Sequence, residues 1–122
     1  MKTREVQLEG KTYRFAKPTI DAAEAYEDGL RDHQKAVTEI RTAMNGTQPA
    51  DLADDLLWKL KDEQRKFRHL NVSLVSCALE RAGDEAAAHL RDLDEEQLTW
   101  LAGEVLRFSG VKELPPGEPL TP

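Results

Sequence analysis

Residues 70–79, LNVSLVSCAL, carry no charge in a chain that is 33% charged. Leu70, Leu74, Cys77 and Ala78 recur at helical spacing, and Val72, Val75 and Leu79 cover the adjoining faces. A helix that is apolar on most sides is a buried helix. Spanning a bilayer takes ~20 apolar residues, twice what is present. Asn71, Ser73 and Ser76 can bond within a helix or to its neighbours, so they do not oppose burial. This stretch therefore predicts the central rod of a small helical core, which the rest of the chain must cover.

The 122 residues suffice for one such core and not two. A formal charge of −6 lacks the basic footprint that phosphate binding needs, which argues against nucleic acid and against an anionic membrane surface. The one cysteine, Cys77, lies in the uncharged stretch and reads as a small buried hydrophobe. The first ten residues, MKTREVQLEG, have no apolar core of a secretory signal, and the expected compartment is a reducing cytoplasm.

Residues 4–16 alternate as strands do, with Glu9-Gly10 as the turn. A two-residue loop pairs Leu8 with Lys11 and Val6 with Tyr13; a four-residue loop pairs Leu8 with Tyr13 and Val6 with Phe15. Either register keeps Val6, Leu8, Tyr13 and Phe15 on one face. An isolated hairpin is marginal in water, so that face must meet the helices or another subunit.

Lys17-Pro18 ends the hairpin. Asp21-Ala-Ala-Glu24 reads as a capping box with Ile20 as its staple, and Thr19 is the alternative cap. The first helix is predicted over 21–44, ending at Asn45-Gly46. Ala23, Tyr26, Leu30, His33, Val37, Ile40 and Met44 form a heptad seam along it. Gly29, beside the seam, costs ~1 kcal/mol against alanine unless something packs close. A seam histidine such as His33 reads as a boundary residue or a satisfied core polar group.

The short connection 46–51 favours antiparallel neighbouring helices, and Asp51 can cap the next one. A helix over 52–82 would be ~46 Å long. It opens on an apolar patch, Leu52, Leu56, Leu57, Trp58 and Leu60. The run Lys61–Lys66 has no apolar residue and reads as a solvated face with pairs from Asp62 to Arg65 and Lys66, or as a break into two helices. A short helix is predicted over 84–92. Asp94 to Gln97 form a capping box with Leu93 facing Leu98, which opens a last helix over 95–108. Residues 112–122 hold four of the six prolines and read as an extended tail.

The fold class that follows is mainly α: an N-terminal β-hairpin packed on a bundle of three main helices plus one short helix, a single domain over 1–111.

Catalytic patterns are absent from the sequence. His33, His69 and His89 lie on separate helices without metal-ligand spacing, and there is no nucleophile elbow or phosphate-cradling glycine loop. The paired acids Asp54-Asp55 and Glu95-Glu96 sit near helix starts, where the dipole explains them. The expectation is a non-enzyme without cofactor or metal.

The order of elements resembles a known family. The hairpin has the form V-x-L-x-G-K-T-Y-x-F, carried by Val6, Leu8, Gly10, Lys11, Thr12, Tyr13 and Phe15. It leads through Pro18-Thr19 into an acidic helix, then an apolar helix ending near L-x-x-A-G, then a capped helix closing at a glycine. Over residues 4–111 this is similar to the tail assembly chaperones of long-tailed bacteriophages. The resemblance implies a small acidic protein of the host cytoplasm, outside the mature virion. It implies binding of the long, hydrophobic, coiled tape measure protein, kept soluble until tail tube subunits polymerise around it. The tail tube protein is a further candidate partner.

From the residues themselves, a helical client needs exposed apolar surface on a soluble acidic body. The candidate interaction residues are Val6, Leu8, Tyr13 and Phe15 on the hairpin and Leu56, Leu57 and Trp58 on the long helix, with the Trp100/Phe108 end as a further candidate. Each also reads as ordinary core. The hairpin edges and the heptad seam predict a homo-oligomer. The alternative function is a minor phage structural or adaptor protein, in head–tail joining or as a scaffold.

Overall fold

The computed structural model describes residues 2–45 and 54–110. The chain runs as β1 (Thr3–Leu8), β2 (Lys11–Ala16), α1 (Ile20–Asn45), α2 (Asp54–Arg81), a 3-10 segment (Glu85–Asp92) and α3 (Glu95–Ser109). This is the mainly helical architecture with an N-terminal hairpin that the sequence predicts. The connection 46–51, the Asp51 cap, Leu52 and the tail 112–122 lie outside the described residues.

The hairpin takes the two-residue loop, with Leu8 facing Lys11 and Val6 facing Tyr13. Glu9 and Gly10 both have positive φ, 49° and 81°. That is the turn whose twist matches the two strands, and Gly10 takes its second position without a Cβ penalty.

Residues 70–79 are the rod the sequence predicts. Leu74, Val75, Ala78 and Leu79 are each at most 1% exposed. Val6, Tyr13 and Phe15 from the hairpin, Tyr26 from α1, Ala86 and Leu90 from the 3-10 segment, and Leu98, Leu101 and Val105 from α3 close around them. Cys77 is only half-buried. Tyr26 Oη donates to Asn71 Oδ1 at 3.1 Å, and Asn71 Nδ2 reaches Thr99 Oγ1 at 3.5 Å. Buried Asn71 is thereby satisfied while tying three helices together.

Beyond this core, α1 and α2 run on as an antiparallel two-helix arm. Every residue of the α1 seam is buried or half-buried, and its partner is α2 of the same chain. The facing residues Leu56, Leu60, Glu63, Phe67, Leu70 and Leu74 repeat at the same alternating spacing of four and three. Gly29 is explained at this seam: a β-carbon there would collide with the Leu70 side chain. The seam is therefore spent within the chain and does not call for a second subunit.

Several local expectations need correcting. Thr19, not Asp21, caps α1: its Oγ1 accepts from the Ala22 N–H at 3.1 Å. The helix starts one residue early, so Ile20 points outward at 77% exposure and staples nothing. α2 is continuous through the polar run, and that run is not wholly solvated. Glu63 is 8% exposed because it falls on the seam. Lys66 pairs with Glu63 at 3.2 Å, while Arg65 pairs with Asp62 as expected. The short helix is 3-10 in character and kinks at His89. Eight residues gain too little from α-helical bonding to override their packing of Ala86 and Leu90 onto α2. The Asp94 capping box is present in full, and Gly110, with φ 77°, ends α3.

Candidate interaction surface

The structure separates the predicted interaction residues into two groups. Val6, Tyr13 and Phe15 are 8%, 3% and 0% exposed and belong to the core. The hairpin lays its apolar face on α2 and α3, and Phe15 meets Phe108 edge-on with ring centroids 5.6 Å apart. These three residues are removed from the candidate surface, because a hairpin of this size needs its apolar face inside its own fold. Leu8 is half-buried at the rim. Burial, with the negative charges of Asp84 and Glu9, raises the Tyr13 hydroxyl above its ordinary value and keeps it neutral.

The other group lies on the outer arm. Leu56 is half-buried in the seam, whereas Leu57 is 43% and Trp58 60% exposed. Leu57 and Trp58, with Asp54, Leu60, Lys61 and Gln64, line a depression of about 400 Å³. Lys61 Nζ sits 5.0 Å from the centre of the Trp58 ring, so a cation rests on an aromatic face still open to solvent. The arm places this patch away from the core, on a helix held by its opposite side. Its position follows from the seam. Leu56 and Leu60 take the inward places, and the two residues after Leu56 must face outward.

Midway along the arm, His33 Nδ1 lies 3.2 Å from Glu63 Oε1, and the imidazole stacks on Phe67 at 5.0 Å. His33 is thus a satisfied seam residue, and Glu63 divides its two oxygens between His33 and Lys66. A single polar pair inside an apolar seam favours one register over its neighbours, because a slipped register would bury both groups unpaired. Sequence reading placed His33 on the seam but missed Glu63, though the spacing from Leu56 and Leu60 to Phe67 pointed to it.

At the opposite end of the molecule, Trp100 is 41% exposed. It shares a cleft of about 300 Å³ with Leu8, Glu9, Asp94, Glu96 and Gln97. Gln97 Nε2 bonds Glu9 there while its Oε1 accepts the Asp94 N–H of the capping box. Among the described residues no group of His, Cys, Asp and Glu is arranged to hold a metal ion, and no helix is long and apolar enough to cross a membrane. Comparison with protein-family models, with curated proteins and with solved structures finds no match.

Proposed function

We propose that the chain is a tail assembly chaperone of a long-tailed bacteriophage, which binds the tape measure protein in the host cytoplasm and keeps it soluble during tail tube assembly. The likeness of residues 4–111 to that family supports the reading, and the observation that carries it is the outward Leu57–Trp58 patch on the helical arm. A client made of long apolar helices needs a partner with apolar side chains facing outward, carried on a body whose charge keeps the complex soluble. The formal charge of −6 supplies the second requirement.

The strength of the patch suits a holding role. Covering what remains exposed of one Trp and one Leu gains roughly 4–5 kcal/mol before the costs of association. Those costs are of the same order or larger. One patch therefore binds weakly and exchanges, and a long client is held by many copies at once. Release then requires only that growing tube subunits compete for the same apolar stripe.

The test is co-expression with the tape measure protein. Wild type is expected to hold the client in the soluble fraction. A Leu57→Asp/Trp58→Asp variant with unchanged far-UV circular dichroism is expected to lose it to the pellet. If wild type leaves the client insoluble, the chaperone reading fails and the minor structural or adaptor reading replaces it.

A further inference from the structure

The two edges of the hairpin differ. β2 packs on α2, and the Arg14 backbone N–H on its outer side donates to Asp84 Oδ2 at 2.7 Å. Among the described residues β1 pairs only with β2. Arg14 faces Glu5 across the ladder, so the phase of the bonding is set: Arg4, Val6 and Leu8 bond to β2, and the backbone groups of Thr3, Glu5 and Gln7 point outward. Those three residues are exposed, and among the described residues no hydrogen bond satisfies their outward groups. An open edge of this kind is a template for another strand.

The charge along this edge says which strand. Its beginning carries the exposed Lys2, whereas Arg4 is already paired with Glu104 of the same chain at 2.9 Å. Its end runs into the Trp100 cleft, where Glu9, Asp94 and Glu96 supply three carboxylates and no lining residue is a cation. Two copies of β1 paired antiparallel about a two-fold axis set Lys2 of each against the acidic end of the other. Among registers centred on residues 4–7, charge favours one. Centring the pair on Arg4 or on Glu5 sets like charges directly opposite, and centring on Gln7 sets Glu5 against Glu9. With Val6 facing Val6 of the second copy, Glu5 faces Gln7, Arg4 faces Leu8 and Thr3 faces Glu9, and no like charges meet.

We propose that β1 is a self-association strand: two copies join β1 edges antiparallel in the Val6–Val6 register, forming a four-stranded sheet. Lys2 of each copy then seats beside the Trp100 cleft of the other. The partner in this interface is a second copy of the chain. The interface leaves the helical arm free.

Sedimentation equilibrium over a range of concentrations tests it. Wild type is expected to reach twice the chain mass. Glu5→Pro removes an outward N–H without breaking the β1–β2 ladder, and is expected to stay at the chain mass with unchanged circular dichroism. Lys2→Glu and Glu96→Lys are each expected to raise the dimer dissociation constant, and the double variant to restore it. A wild type that remains at the chain mass, a Glu5→Pro variant that still dimerises, or a double variant no better than the single ones would overturn the proposal.

Discussion

Leu74 and Trp58 lie on the same helix, sixteen residues apart, and the structure assigns them opposite environments. Leu74 is 1% exposed and sits where α2 meets the hairpin, the 3-10 segment and α3; Trp58 is 60% exposed. Truncating a fully buried leucine removes its transfer free energy and leaves a cavity, at a cost of ~2–5 kcal/mol. For an m-value near ~1.5 kcal/mol per molar urea, Leu74→Ala lowers the unfolding midpoint by roughly 1.3–3.3 M. Truncating an exposed side chain stays within about 0.5 kcal/mol, so Trp58→Ala shifts the midpoint by less than ~0.4 M. Tryptophan fluorescence is compromised in one of the two variants, so far-UV circular dichroism in a urea series is the assay. Equal shifts for the two variants would refute the division into a packed end and an exposed arm. A large loss from Trp58→Ala alone would mean that the patch is core after all.

Other residues give further expectations. Asp84 accepts from the Ala86 N–H at 2.8 Å as a helix cap and from the Arg14 N–H at 2.7 Å. Asp84→Ala should therefore cost about 1–3 kcal/mol in a thermal melt. Asp84→Asn, which keeps an acceptor, should cost less. The raised pKa of Tyr13 means that the unfolded phenol ionises first on the alkaline side. This stabilising contribution is complete below the unfolded value of about 10 and is lost as pH rises through the folded value. A pH series of urea midpoints should show a shallower alkaline decline for Tyr13→Phe than for wild type.

Elements whose signal lies in local chemistry were legible in the sequence. The uncharged stretch around Leu74 named the core rod, Glu9-Gly10 the turn, and Asp94 to Gln97 the start of α3. The α1 seam was legible too, but its partner was not. Periodicity says that a face is buried without saying against what, and α2 took the place left open for a second subunit. Thr19 and Asp21 offer equivalent caps in sequence, and the helix begins at Ile20 with Thr19 as the cap that accepts the Ala22 N–H. Glu63 escaped notice because a charged residue inside a charged run gives no periodic signal of its own. Its burial exists only because His33 and Lys66 meet it from two helices. The candidate surface divided for a similar reason. Val6 and Trp58 are equally apolar as residues, and only the third dimension puts one under the hairpin and the other on the outside of the arm.

The account rests on Trp58 facing a client, and site-specific photo-crosslinking measures that directly. A benzoylphenylalanine replaces Trp58 in one variant and the exposed Gln34 of α1 in another, each co-expressed with the tape measure protein and irradiated in cells. The account predicts a covalent adduct of the tape measure protein from position 58 and none from position 34. An adduct from both positions alike, or from neither, would contradict it.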